Sequence, residues 1–268
     1  MHGHIESLLD SGVDFIFYPN QSYNFDERGG TNHYNCPVVA YYSELLKANN
    51  IRLNKDNFIM PYIDLNNEKT TIKTLKKALG KYNLSTKQVA DAIESAKINL
   101  AFYRNAVENR CQDIIDTARM QGKQIIVVLG RPYHVDYEIN HGITKLLSSL
   151  GFAVVSEDGV FNMTDNVKVN VLNQWTYHAR MYRATSFSIE NDDVNVLQLV
   201  SFGCGIDAIT ADEIRAMCES NGKLYTQIKI DEVNNLGVVK IRLRSLAAAI
   251  EERNSEQQLL VACGDANG

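Results

Sequence analysis

The amino-acid sequence predicts an α/β fold with two parallel-sheet lobes that are joined by a helical segment. Near-continuous apolar runs at residues 125–129 and 194–200 are typical of strands buried on both faces of a parallel sheet. Stretches with helical periodicity alternate with these strands, which indicates right-handed crossover connections. Residues 69–122 keep a helical pattern between the lobes. We predict an incomplete first lobe at 1–66, a helical connection at 67–122, a second lobe at 123–253 and a flexible tail at 254–268.

The first lobe contains two strand candidates and one clear helix start. Val13–Tyr18 is a short apolar strand that a proline ends, and residues 57–63 form a second candidate that Pro61 restricts to an edge. Pro37 directly after Cys36 is typical of the first residue of a helix. Two strands are few for such a lobe, which favours a segment cut from a larger domain.

The helical connection divides into two helices. Residues 71–79 form an amphipathic piece. Ser85 and Gln88 form a capping box that opens a long helix toward Met120. Cys111 lies inside that helix, and we interpret it as a structural cysteine.

The second lobe carries four strands, and polar or glycine-rich loops follow them. The strands are predicted at 125–129, 152–155, 194–200 and 224–230, and helices at 139–151, 173–187 and 238–252. Loops after parallel strands gather at the carboxyl edge of the sheet, where α/β proteins bind ligands. The polar residues expected on this rim are Arg131, Tyr133, His134, Cys204, Asp207, Lys229, Asp231 and Glu232, with His141 close behind.

Composition restricts the classes of function. The chain has 268 residues and a formal net charge of −5, which argues against nucleic acid or an anionic membrane as the main partner. The sequence has no apolar run of transmembrane length and no signal-peptide pattern, so we predict a cytoplasmic protein. Five widely spaced cysteines without a C-x-x-C pair disfavour a disulfide scaffold and a zinc site built on paired ligands. Dinucleotide-binding, Walker A and serine-hydrolase motifs are also missing from the sequence.

Cys204 lies between two glycines, after a buried strand and before a helix. Flanking glycines leave space for a bulky group beside the sulfur and allow a positive φ. We predict Thr210 as the N-cap of the helix, with Glu213 completing a capping box. A thiol at this place is suited to be a metal ligand or a nucleophile, and an inert cysteine in a tight turn is the alternative.

Cys36 is the second cysteine in a chemically favourable place. At a helix N-terminus the helix dipole stabilises a thiolate and lowers the pKa of the thiol. A catalytic pair of one of these two cysteines with a histidine also fits the sequence. The candidate histidines are His33, His134 and His141.

Five motifs in fixed order resemble one known family. They are Tyr34–Val39, Leu129–His134, Ile139–Ile143, Ser201–Ala208 and Lys229–Gly237. The family is the 2-hydroxyacyl-CoA dehydratase and benzoyl-CoA reductase superfamily of iron–sulfur proteins. Within it, the chain is similar to a segment of the long CoA-enzyme-activase-related proteins, which join an ATPase domain to a dehydratase-like part. The resemblance covers about residues 4 to 253 and implies Rossmann-like lobes.

This resemblance implies a [4Fe–4S] or double-cubane cluster that an ATP-driven activator loads with a low-potential electron for an acyl-CoA substrate. The matching cluster ligands are Cys36 and Cys204, and thiolates suit iron–sulfur clusters. Asn20 stands where many relatives have a third cysteine. If Asn20 replaces a ligand, we expect the binding of the cluster to be weak, labile or lost. The resemblance also implies that Arg131, His134 and Lys229 face the substrate, and that the chain works in a dimer or a longer polypeptide with an activator.

Two functions therefore follow from the sequence. The first is a cluster-binding dehydratase or reductase-like domain, a lyase or a component of an ATP-coupled reductase. The second is a non-catalytic scaffold or electron-relay domain that has lost the cluster or carries it incompletely. The cysteines at 36 and 204 favour the first function, and Asn20 favours the second.

Overall fold

A computed structural model of the chain describes residues 1–165, 167–201, 203–230 and 236–265, with side chains as far as residue 256. The predicted rim residues Asp231 and Glu232 lie outside the described residues. The chain divides into two compact units, Met1–Tyr103 with Asn173–Thr176 and Arg104–Leu172 with Tyr177–Gly268. The division falls within the segment that the sequence marks as a helical connection. Among the described residues, no helix combines the length and the apolar character that a membrane span requires.

The first unit contains a small parallel sheet and three helices. The strands are β1 (Ile16–Phe17) and β2 (Phe58–Ile59), and the helices are α1 (His2–Asp10), α2 (Pro37–Asn49) and α3 (Glu68–Ala78). Both strands are shorter than predicted, although backbone bonds continue to Asn20 N–H, which donates to the Pro61 carbonyl at 2.9 Å. Pro19 and Pro61 lack the N–H donors that a longer ladder would need, so the regular pairing stops early.

Helix α4 (Thr86–Met120) begins as the sequence predicts. The Ser85 N–H donates to Gln88 Oε1 at 2.9 Å, and the Gln88 N–H donates to Ser85 Oγ at 3.1 Å, which confirms the capping box. Cys111 is buried in α4, and its sulfur occupies the space where a Cβ on Gly159 would lie. Burial raises the pKa of this thiol, in agreement with a structural cysteine.

The second unit is a four-stranded parallel sheet covered by helices, which confirms the α/β class. Its strands are β3 (Ile125–Leu129), β4 (Ala153–Ser156), β5 (Val194–Ser201) and β6 (Tyr225–Ile230), and each pair of neighbours is parallel in the order β4-β3-β5-β6. The helices are α5 (Ile143–Ser149), α6 (Glu157–Val160), α7 (Thr176–Ile189), α8 (Gly205–Ser220) and α9 (Leu236–Asp265).

Two apolar layers cover the two faces of this sheet. Alternate strand residues such as Val127 and Val196 pack with α4, α7 and α8, and the residues between them, such as Val128 and Leu197, pack with α5 and α9. All eight residues of β5 are buried. Continuous burial explains why β3 is apolar throughout and why β5 is mostly apolar, as expected for central strands of a parallel sheet.

The start of α8 differs from the sequence prediction. The helix begins at Gly205 with Cys204 as its N-cap residue, so Thr210 and Glu213 lie inside the helix instead of capping it. Both side chains bond elsewhere, since Thr210 Oγ1 accepts from the Tyr182 hydroxyl at 3.3 Å and a Glu213 carboxylate oxygen accepts from the Asn170 N–H at 2.6 Å. Gly203 and Gly205 keep φ outside the left-handed region, so the chain does not use the positive φ that glycine allows.

Candidate functional site

The site lies in the second unit, between the carboxyl ends of β3 and β5. The chain moves from β3 outward to β4 and then returns to β5 on the other side of β3, so the strand order reverses between these two central strands. Open α/β sheets bind ligands at this topological switch point. The loop after β3 supplies Arg131, Tyr133 and His134, and the segment after β5 supplies Cys204 and Asp207.

A buried charge network forms one wall of the site. The Arg131 guanidinium donates to one carboxylate oxygen of Asp207, and His178 Nε2 lies 3.3 Å from the other. Each of the three residues is less than 10% exposed. Burial alone would raise the pKa of Asp207, but the hydrogen bond from His178 and the charge of Arg131 outweigh it and lower the pKa. Asp207 is therefore a carboxylate that fixes the Arg131 side chain.

His134 is held as a neutral imidazole. The backbone N–H of Arg131 donates to His134 Nδ1 at 3.0 Å. Burial, together with the charge of Arg131, lowers the pKa of His134 to about 4. Since Nδ1 is an acceptor, the proton is on Nε2, which donates to Ser201 Oγ at 2.7 Å. Both ring nitrogens are thus engaged, so His134 is not placed to act as a base for Cys204.

The Tyr133 ring lies against the side chains of His134 and Arg131. Its ring centroid lies 4.5 Å from that of His134 and 5.4 Å from the centre of the Arg131 guanidinium. Burial raises the pKa of the Tyr133 phenol and outweighs the charge of Arg131 and a hydrogen bond with Ser201, which both lower it. The Tyr133 phenol therefore stays protonated and keeps its O–H group.

Cys204 lies at the N-terminus of α8, where the partial positive charge of the helix favours a thiolate. The residue is partly exposed. A Cβ built on either neighbour, Gly203 or Gly205, would have no other atom within 4 Å. The flanking glycines thus border open space, as the sequence analysis expected.

The first unit places Cys36 as it was predicted and gives Asn20 a structural role. Cys36 is the partly exposed N-cap residue of α2. The Asn20 side chain is buried, and its Oδ1 accepts a hydrogen bond from the Ser43 hydroxyl while its Nδ2 donates to the Met60 carbonyl at 3.4 Å. Asn20 therefore ties the end of β1 to α2 and β2. Among the described residues, no three His, Cys, Asp or Glu side chains are grouped as metal ligands.

Comparison with known families identifies the chain more closely. A family model described as "CoA enzyme activase uncharacterised domain (DUF2229)" matches residues 1–160. The chain belongs to this family. The matched region contains the whole of β3 and β4, with Arg131 and His134, and ends before β5. A comparison with curated proteins finds no match.

Lys229 of this CoA enzyme activase domain lies near the carboxyl end of β6, the strand that pairs with β5. Its side chain lines a pocket with Arg215 and Arg242. That Lys229 shares one site with Arg131 and His134 stays a prediction.

Ser201 and His178 are site residues of the activase domain that sequence reasoning did not single out, and Glu157 is a buried carboxyl group that it also missed. Ser201 and His178 bond to His134 and Asp207 as described above. Glu157 follows β4 and is 1% exposed. A polar residue at the end of a strand, as at Ser201 and Glu157, is the signal that could have found two of the three. His178 has no such signal, because it comes from a helix.

Replacing Gly130 with alanine is expected to lower the free energy of unfolding of the activase domain by about 1 to 3 kcal/mol. A Cβ there would lie 2.5 Å from His134 Nδ1, and the His134 ring cannot retreat without losing its bonds to Arg131 and Ser201. Chemical denaturation measures the change. Gly203→Ala is the matched control, since its Cβ meets no atom within 4 Å. Equal effects of the two substitutions would contradict the prediction.

Proposed function

We propose that this chain is a thiolate-bearing, dehydratase-like domain of a CoA-enzyme-activase-type protein, and that Cys36 and Cys204 are ligands of an iron–sulfur cluster. The observation that carries the proposal is the placement of Cys204 at a helix N-terminus, at the switch point, with open space beside both flanking glycines. A helix N-terminus favours the thiolate form that such clusters require.

The donor set fits a cluster only in part. Two partly exposed thiols are available, but Asn20 is buried and bonded to Ser43, and a four-iron cluster takes four ligands. The remaining ligands would therefore come from outside the described residues, from a second subunit or from another part of a longer polypeptide. When bound, such a cluster would supply a low-potential electron for an acyl-CoA substrate, and an ATP-dependent activator is the proposed partner.

The polar residues at the switch point have positioning roles in this proposal. Asp207 neutralises Arg131 and holds it in place, and His134 offers its one ring proton to Ser201. Neither side chain has a free basic nitrogen in reach of the Cys204 thiol. We therefore propose that Arg131 and His134 fix the loop that faces Cys204, while the Tyr133 phenol donates a hydrogen bond toward a ligand there.

A second candidate is a domain of the same family that binds the activator without carrying a cluster. The buried Asn20–Ser43 hydrogen bond favours it, because the side chain at this position is committed to the fold of the first unit. Under this alternative the thiols at 36 and 204 are not metal ligands, and the domain serves as a scaffold or relay.

Iron and acid-labile sulfide per chain, measured after anaerobic reconstitution of the full chain, test the two candidates. We expect bound cluster in the wild type and its loss in Cys36→Ala and in Cys204→Ala. Cys218→Ala is the control, because this thiol is completely buried and burial raises its pKa to about 12. Asn20→Cys is expected to raise the cluster content. A folded wild type without iron would leave the cluster-free candidate as the function.

A further inference from the structure

A cationic pocket lies at the free edge of the sheet in the second unit. β6 is the last strand of the sheet, and Tyr225, Gln227 and Lys229 alternate along it, so they share one face. Arg215 of α8 and Arg242 of α9 complete the lining of a cavity of about 400 Å³. None of these lining residues is among the residues Arg131, Tyr133, His134, Cys204 and Asp207 that form the site at the switch point.

The charges around this pocket are strongly unbalanced. Among the described residues, three of its five lining side chains are cations and none is a carboxylate. Arg215 forms an ion pair with Asp212, with Nη1 3.3 Å from the carboxylate, but both side chains are exposed, so water screens this pair. The whole chain carries a formal net charge of −5, so a concentration of positive charge is the opposite of its average surface. Such a local field attracts anions.

The two arginines are fixed by contacts with the strand. Arg242 Nη1 donates to the Gln227 carbonyl at 2.7 Å, and the guanidinium centre of Arg215 lies 5.4 Å from the centroid of the Tyr225 ring. A guanidinium has five N–H donors, so one such contact positions the group and leaves further donors for a ligand. Preorganised guanidinium groups are suited to phosphate oxygens, which they bind in pairs of parallel hydrogen bonds.

The phenol of Tyr225 lines the pocket as a neutral group. The Tyr225 hydroxyl donates to Gln198 Oε1 at 2.8 Å and lies 3.3 Å from Gln227 Oε1. Because both amide oxygens face the phenol, the NH₂ groups of the two glutamines point away from it. Burial raises the pKa of Tyr225, so the phenol stays neutral and does not repel an anion.

From this geometry we infer that the edge pocket binds the phosphate group of an anionic small molecule through Arg215, Lys229 and Arg242. Free diphosphate and a nucleotide diphosphate share this chemistry. The inference is independent of the iron–sulfur proposal, since the pocket contains no thiol and its ligand needs no metal.

Isothermal titration of the full chain at physiological salt, with inorganic pyrophosphate and with ADP as probes, tests the inference. We expect saturable binding of at least one probe to the wild type. The affinity should fall at least tenfold in Arg215→Gln, in Arg242→Gln and in Lys229→Gln, because each substitution removes a charge-assisted hydrogen bond. Tighter binding of ADP than of pyrophosphate would identify a nucleotide as the ligand class, and the reverse order would identify a free diphosphate.

Arg244→Gln is the matched control, because it removes the same charge from an exposed position two residues further along α9. Its affinity should stay within twofold of the wild type. An equal loss in Arg244→Gln would mean that the probe responds to diffuse surface charge, and would overturn the inference. Absence of binding to the folded wild type would overturn it as well. In that case the cations serve only to protect an exposed strand edge.

Discussion

Replacing Asp207 with asparagine is expected to lower the free energy of unfolding by about 3 to 5 kcal/mol. The carboxylate is the ion-pair partner of Arg131 and lies 3.3 Å from His178 Nε2, with both partners buried. Asparagine keeps the shape of the side chain and removes its charge, so the buried Arg131 guanidinium loses the counter-charge of Asp207. Chemical denaturation of the full chain at neutral pH measures the loss.

Asp212→Asn on the same helix is the matched control. Its carboxylate is also 3.3 Å from an arginine, Arg215, but the side chain is 76% exposed. Exposed pairs contribute less than about 1 kcal/mol, because water already solvates both charges. A loss in Asp207→Asn no larger than that in the control would show that the buried pair does not stabilise the fold.

A double substitution separates the effect of the lost Asp207 charge from the effect of the lost contact with Arg131. Replacing both Asp207 and Arg131 with apolar residues removes the pair together, and buried pairs replaced in this way often cost little. We expect the double variant Asp207→Leu with Arg131→Met to be more stable than Asp207→Asn alone. If it is less stable, the geometry of the loop, and not the uncompensated charge, explains the effect of Asp207.

The strands and helix starts of this chain were predictable where their cause is local. The apolar runs of β3 and β5 reflect continuous burial, and the capping box at Ser85 needs only residues three positions apart. The start of α8 was mispredicted for the opposite reason. Thr210 and Glu213 form a capping pattern in the sequence, but their side chains bond to Tyr182 and to the Asn170 N–H instead. The helix begins directly after Cys204.

The candidate site was predictable in its loops and not in its bonds. The sequence places Arg131, His134 and Cys204 after strands, and the sheet brings them to one edge. The sequence does not reveal that β5 lies beside β3. This strand order brings Ser201 into hydrogen-bond contact with His134, and Asp207 with Arg131. The position of Lys229 on β6, beside β5 and not beside β3, is also a property of strand order.

The second large effect that we expect is a loss of stability between pH 6.5 and 8 that depends on Glu157. This carboxyl group follows β4, and burial, together with the charge of Asp158, raises its pKa to about 8, against the opposing charge of Arg180. Above pH 4.5 the unfolded chain releases this proton, while the folded chain keeps it up to about pH 8. Stability therefore falls as the pH rises through this interval, by about 1.4 kcal/mol per pH unit.

His134 has the opposite dependence at lower pH. Its folded pKa is about 4, against an ordinary value of 6.5, so between these values only the unfolded chain binds the proton and stability rises with pH. From pH 4.5 to 6.5 the two slopes nearly cancel. From pH 6.5 to 8 the contribution of His134 stays constant, and the Glu157 slope removes about 2 kcal/mol from the free energy of unfolding.

Denaturation curves of the full chain at pH 5, 6.5 and 8 measure this profile for the wild type and for Glu157→Gln. The variant has no carboxyl proton to lose, so its stability should rise from pH 5 to 6.5 and then stay level to pH 8. Glu138→Gln, at an exposed position, is the control and should follow the wild type. If the wild type and Glu157→Gln keep a constant difference across the three pH values, Glu157 is ionised in the folded protein. Its burial beside β4 must then be compensated by the positive charge of Arg180.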